Sequence, residues 1–300
     1  MTTQTQGDKA RLLQLGINAI AGQAMKDYSP EYPKIFTVEG SEKAYEIDVS
    51  VSNGGLGYLK PEGTEIRYAK SKQDFTKTYT HKVYALGARL TFEAMMNNKY
   101  ENLAKSTGTW LKKSMLHTYE QLAADVINVG YTSSDSIDGL PLFSTAHLLG
   151  TGGTFSNRFT SFTSLSQSAI EDAIIELEDF RDGAGLLADI KAESLHIPRQ
   201  LRFDAMRIDK SSFEPDSTNT ATINPIAGYF SKGIHVNHRF TSSTDWFIKT
   251  NAEHGFKIFD RMKLTFEQDN VFNTGDFCTK AMFYASFGHT DPRCAFGSGT

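Results

Sequence analysis

Asp138, Ser144 and His147 are the residue types of a hydrolytic triad, gathered in one short stretch. In a triad the hydroxyl attacks, the imidazole takes its proton and the carboxylate orients the ring. The local pattern argues against that chemistry. No Gly-x-Ser-x-Gly elbow surrounds Ser144, and triad members converge from separate elements. Gly150-Thr-Gly-Gly-Thr154 has the glycines of a phosphate cradle. It follows no clear strand, opens no helix directly, carries Phe155 at the sixth position and lacks the Lys-Ser or Lys-Thr of a P-loop. It reads as a turn. His235 and His238 are three apart, which on a strand puts them on opposite faces, whereas a metal needs convergent ligands. Cys278 and Cys294 form no metal or redox spacing and read as free thiols in a reducing cytoplasm. No carboxylates are spaced for acid–base work. The residues therefore predict no catalytic, cofactor-binding or metal site.

What remains is the set of elements that would have positioned such a site. The longest runs from Thr91 to Gly130. Thr91 can cap its start and Glu93 lies in the first turn, where the helix dipole favours an anion. Asn97-Asn98 marks a break. Leu103, Trp110, Leu111, Met115, Leu116, Tyr119, Leu122, Ala123, Val126 and Ile127 then recur at helical spacing. Lys105, Lys112, Lys113, Glu120, Gln121 and Asp125 fall mostly between them, and Asn128 and Gly130 are stop signals. Gly108 is a flaw of about 1 kcal/mol in a helix interior. A rod of this length, about 45 Å, is a backbone for the whole subunit.

Asp8 to Tyr28 predicts an amphipathic helix, stopped at Pro30 and Pro33. Tyr45, Ile47, Val49 and Val51 alternate on one face of a strand. Asn53-Gly-Gly-Leu-Gly57 is a turn cluster. From Tyr58 to Lys82 the alternation continues with few large aliphatics, and six basic residues outnumber Glu62, Glu65 and Asp74. A two-stranded ribbon with so little apolar surface is not stable alone. It is either a solvated hairpin or a loop completed by another subunit. Leu165 to Asp182 is a second helix, capped by Ser166 or Ser168, with Ile170, Ala173, Ile174, Leu177 and Phe180 on one side and acidic residues on the other. Leu195–Pro198 reads as a buried strand and Leu201–Ile208 as a short helix, with a polar loop over 211–224. Gly233–Phe240 and Asp245–Lys249 read as two strands of one hairpin, and Met262–Gln268 and Phe277–Phe287 as two more strands.

The 300 residues allow one large or two modest domains. A formal charge of −4 argues against a basic nucleic-acid reader. No run approaches the apolar length of a transmembrane span, and Met1–Asp8 lacks a signal-peptide core. The 21 phenylalanines fit a large β-rich core or adhesive subunit contacts.

Asp138-Gly-Leu-Pro-Leu-Phe-Ser-Thr-Ala-His147, followed by Gly152-Gly-Thr-Phe-Ser-Asn157, resembles the major capsid proteins of tailed bacteriophages, in the group near the Mu-like major head subunits. Leu90-Thr-Phe-Glu93 leading into the long helix, Leu195-His-Ile-Pro-Arg-Gln-Leu201, Asp245-Trp-Phe-Ile248 and the tail Asp291-Pro-Arg293 with Gly297-Ser-Gly299 extend the likeness over residues 30 to 300. Cys294 departs from it, standing where a glycine is frequent.

The resemblance implies an α+β chain with the shell fold shared by tailed phages, herpesviruses and encapsulins. It implies an N-terminal arm over 1–40, an extended loop (E-loop) over 41–88 and a peripheral domain with a spine helix over 89–164. The axial domain would take 165–249, further peripheral strands 250–288, and a C-terminal axial segment 289–300. Function would be self-assembly into pentamers and hexamers of an icosahedral head enclosing double-stranded DNA, without enzymatic activity, cofactor or membrane. Contacts to a neighbouring subunit would come from the extended loop at Gly54, Gly55, Leu56, Tyr58, Lys60, Arg67, Lys70, Lys72 and Lys77. Further partners implied are a separate scaffolding protein, a portal and a decoration protein, with assembly in the host cytoplasm and the virion as destination. Two alternatives stay open at this point: an encapsulin-like compartment shell, and a soluble hydrolase using Ser144 and His147.

Overall fold

The computed structural model describes residues 29–52, 54–68, 70–96, 100–150, 152–211 and 223–299. The strands are β1 (Thr37–Gly40), β2 (Tyr45–Ser52), β3 (Lys72–Thr80), β4 (Lys82–Leu90), β5 (His147–Leu148), β6 (Thr154–Phe155), β7 (Ala192–Pro198), β8 (Ile234–Asn237), β9 (Trp246–Thr250), β10 (Phe256–Asn270), β11 (Phe277–His289) and β12 (Ala295–Ser298). The helices are α1 (Phe92–Met96), α2 (Tyr100–Asn128), α3 (Gln167–Glu178) and α4 (Arg202–Lys210). The N-terminal helix expected over Asp8–Tyr28, the Asn97-Asn98 break and most of the 211–224 loop lie outside the described residues.

Two four-stranded sheets carry the subunit. In the first, the order is β1-β10-β11-β4, with β1 parallel to β10 and the other pairs antiparallel. The 29 residues of α2 make a rod of about 43 Å that lies along this sheet. Leu111 and Met115 pack on Ala281, Phe283 and Ala285. The stripe is narrower than its sequence suggests. Leu116, Tyr119, Leu122 and Val126 are half-buried and Trp110 is exposed, whereas Lys112 and Glu120 are buried. Glu120 turns inward because it accepts a hydrogen bond from the Glu31 backbone at 2.7 Å. The start and stop signals hold. Thr91 Oγ1 accepts from Ala94 N, and Gly130 ends the rod where a Cβ would press on the Phe143 ring.

The second sheet has the order β12-β9-β7-β8 and packs against α3 and α4. Ser166 caps α3 through Ala169 N, and Ile170, Ala173, Ile174 and Leu177 are buried, as the spacing requires. The expected hairpin of β8 and β9 does not form. Both strands exist, but they flank β7, parallel on one side and antiparallel on the other. Every residue of β7 from Ser194 to Pro198 is buried, so it needs a neighbour along each edge and takes the centre of the sheet. A third cluster, with Ile35, Phe36, Ala123, Ile127, Phe143, Phe247, Phe256 and Ala295, joins the two sheets.

Outside both sheets lies the antiparallel ribbon of β2 and β3. It ends at the buried corner residue His81, held between Ser286 and Ser41 hydroxyls at 3.0 Å each. Lys82–Leu90, which the resemblance gives to the loop as far as residue 88, is instead a full strand of the first sheet.

Candidate assembly surface

The chemistry-bearing cluster resolves into a structural pin. His147 is fully buried, with Nδ1 at 2.7 Å from Asp138 Oδ2 and Nε2 at 3.1 Å from the Leu142 carbonyl. Both ring nitrogens are thus committed to oxygen acceptors. Burial pushes the Asp138 carboxyl up, but the hydrogen bond and charge of His147, with the backbone N–H groups of Leu148 and Leu140, together leave it below the ordinary value. Ser144 does not join them. Its Oγ accepts from Ala146 N, and its backbone N–H donates to Asn157 Oδ1 at 2.8 Å. Asn157 then bridges the carbonyls of Leu142 and Pro292, tying this segment to the C-terminal strand region. The glycine cluster is the turn of the β5–β6 hairpin, with Gly152 and Gly153 at φ of 95° and 99°. Among the described residues, no group of three or more His, Cys, Asp or Glu is placed to hold a metal ion. No described helix is long and apolar enough to cross a membrane.

The ribbon is the unusual surface, because its polarity is inverted. Its inward face is charged. Asp48 Oδ2 accepts from Lys257 Nζ at 2.7 Å and from Thr290 Oγ1 at 2.6 Å. Burial raises the Asp48 carboxyl, yet these two bonds bring it below its usual range. Lys77 is buried and donates to the backbone carbonyl and carboxylate of Asp135. Tyr79 OH meets Thr290 Oγ1 at 2.6 Å. Near the tip Lys72 reaches the Gly150 carbonyl, and Ser52 bonds Asp74 over the glycines at 150 and 183, where any Cβ would collide with the ribbon. The outward face is the apolar one. Tyr45, Ile47, Val49 and Val51 are 38–52% exposed. Thr80, Thr78 and Thr76 stand opposite the first three of them.

The tip over residues 54–68 forms no strand. Gly54, Gly55, Leu56, Tyr58, Lys60, Arg67 and Lys70 are all exposed there. Leu59 and Tyr68 are more than 90% exposed, and the Arg67 guanidinium covers the Tyr58 ring at 4.8 Å. Lys72 is also exposed, but Lys77 faces its own subunit. Sequence reasoning did not place Tyr45, Ile47, Val49 and Val51 on the exposed face. Their alternation was visible, but alternation alone does not say which face is wet.

Between the ribbon base, α2 and β11 lies a cleft of about 380 Å³ lined by Lys77, Tyr79, Asp135, Leu142 and His289, among others. Both ring nitrogens of His289 are buried without a partner among the described residues. Burial, with Lys77 adding to it, pushes its pKa down to about 3.

A long helix lies on one sheet, a second sheet has its own helices, and a two-stranded ribbon stands outside both with its apolar face exposed. A profile of the family described as phage capsid protein matches residues 74–297, and the chain belongs to that family. Solved structures share the fold at low identity. One from Microbacterium phage Oxtober96 has a TM-score of 0.55 at 9% identity, covering 88% of this chain and 86% of that one. The capsid structure of cyanophage P-SCSP1u has a TM-score of 0.53 at 13% identity, covering 89% and 86%. A virus-like particle from Pyrococcus furiosus has a TM-score of 0.50 at 7% identity, covering 95% and 98%. No curated protein sequence matches. The fold is therefore the tailed-phage shell fold, in an α+β chain.

Proposed function

We propose that this chain is the major subunit of an icosahedral phage head, assembling into pentamers and hexamers around double-stranded DNA, and that it catalyses no reaction. The observation that carries this reading is the inverted ribbon. A monomer gains nothing by burying Asp48 and Lys77 while wetting Tyr45, Ile47, Val49 and Val51. A second copy laid on that face removes the apolar row from water. Repeated head-to-tail contacts of this kind close into rings.

On this reading the extended loop, running from residue 41 to the end of β3, contacts its neighbour through the outer ribbon face and through Gly54, Gly55, Leu56, Tyr58, Lys60, Arg67, Lys70 and Lys72. Lys77 anchors the loop's root. The first sheet with α2 is the peripheral domain, and the second sheet, including residues 289–300, is the axial domain. Residues 1–40 form the arm. A separate scaffolding protein, a portal and a decoration protein act with it, DNA is enclosed without sequence reading, and assembly takes place in the host cytoplasm. The motifs at 138–157 support placing the chain near the Mu-like head subunits. Electron microscopy of the expressed chain tests the reading. Closed icosahedral shells are expected. A compact monomer at all concentrations, with scaffold supplied, contradicts it.

A further inference from the structure

Two helices on the second sheet carry matched, opposite surfaces. On α3 the exposed face centres on Ile175, which is 68% exposed. Its neighbours one turn either way on that face, at i−4, i−3, i+3 and i+4, are Glu171, Asp172, Glu178 and Asp179, all acidic. Asp172 also faces Glu176 at i+4, and the Glu176 carboxyl is raised by burial and by the Asp172 charge. Asp172 and Glu176 have no cation among the described residues. Of the ring, Asp179 is paired with Arg181 at 3.3 Å, Glu171 accepts from Gln167 and Glu178 from Tyr229, so the uncompensated charge of this face centres on Asp172 and Glu176.

On α4 the exposed face centres on Phe203, 68% exposed, with Met206 beside it at i+3. Arg199, Arg202, Arg207 and Lys210 surround this pair. Arg207 is neutralised by Asp204 at 2.9 Å. Arg199, Arg202 and Lys210 have no carboxylate partner among the described residues. The other faces of both helices are spent in one core, α3 through Ile170, Ala173, Ile174 and Leu177, and α4 through Ala205 and Ile208.

We infer that the acidic face of α3 in one copy docks on the basic face of α4 in the next, with Ile175 packed against Phe203 and Met206. The inference rests on the shell reading above and names the contact that closes its rings. The occupant is a second copy because both halves of the pair are present in one chain, and charge complementarity selects one helix for the other. Such a contact uses two different patches, so it is head-to-tail and repeats around an axis. The apolar centre supplies the burial and the charged rims supply register and partner choice.

The test is charge reversal in the full chain. Asp172→Lys with Asp179→Lys, or Arg199→Glu with Arg202→Glu, places like charges across the contact. Each double variant should keep the wild-type melting curve and lose ring and shell particles about tenfold or more by sedimentation and electron microscopy. Carrying all four substitutions in one chain restores opposite signs and should recover particles. As a proximity check, the single variants Ile175→Cys and Phe203→Cys, mixed under mild oxidation, should give disulfide-linked dimers that neither gives alone. Wild-type particles with full yields from both reversal variants, and no mixed dimer, would overturn this contact while leaving the shell reading intact. A wild-type chain that never leaves the monomer would overturn the shell reading and this contact with it.

Discussion

Helix α2 and the β2–β3 ribbon are both long, both amphipathic, and buried the opposite way round. The helix turns Leu111, Met115, Ala123 and Ile127 inward and shows Lys113 and Gln121 to water. The ribbon turns Asp48 and Lys77 inward and shows Tyr45, Ile47, Val49 and Val51. The helix is finished within one subunit. The ribbon is only tethered there, by directional ion pairs that fix where it lies without using its apolar face. Polar tethers give orientation, and the withheld apolar area is what a neighbour can bury.

The largest effect expected from breaking this contrast is on the helix. Leu111 is fully buried, so Leu111→Asp buries an unpaired charge at a cost of about 4 kcal/mol or more. Loss of soluble, folded subunit is expected in expression and thermal melts. A stable Leu111→Asp subunit would mean that α2 does not lie on the first sheet.

The tethers come next. Asp48→Ala leaves Lys257 partly buried without its carboxylate, and a loss of about 2 kcal/mol is expected by denaturant titration. The ribbon should then exchange its backbone amides faster while α2 does not. Equal slowing or quickening in both would show that the two regions unfold as one.

How far the sequence carries depends on whether each signal is local. The α2 and α3 periods, their caps, and the existence of strands at β10 and β11 are set by neighbours along the chain, and they were legible. The pairing of β8 and β9 with β7 was not, because strand order is decided by which strand is buried on both edges. Lys77 read as a loop cation because nothing local announces Asp135, 58 positions away. Ile175 was not singled out from the sequence, although carboxylates at i−4, i−3, i+3 and i+4 were there to be counted. The missing elbow around Ser144 was visible in the sequence, whereas the Asp138–His147 pin needed coordinates.

A smaller effect separates the regions by pH. His289, against the ribbon root, has its folded pKa lowered to about 3 from an ordinary 6.5. Burial also lowers His196, His81 and His235. For a base with a depressed pKa, the stability it contributes is fully present above its unfolded value. It is lost as pH falls, because the unfolded chain takes protons that the folded chain refuses. Stability should therefore decline from pH 6.5 downward, by about 1.4 kcal/mol per pH unit for His289 alone. Urea melts of His289→Leu should show a slope shallower by about one proton. An unchanged slope would mean that His289 is not buried as described.

The smallest expected change in the free subunit is at the ribbon's outer face. Ile47→Asp with Val49→Asp should shift its stability by no more than about 0.5 kcal/mol, since both side chains are already in water. The same variant should form no shells. Normal shells would place the neighbour somewhere else.

Limited trypsin digestion tests most directly whether the ribbon and its tip are completed by another copy. In the free subunit the first cuts should fall at Arg67 or Lys70, on the exposed tip, or at Lys72 at the start of β3, while Pro61 shields Lys60 and Lys77 stays held against Asp135. In closed shells the tip sites should be protected, with α2 unchanged between the two states. Equal cleavage at the tip in free and assembled protein would contradict the account.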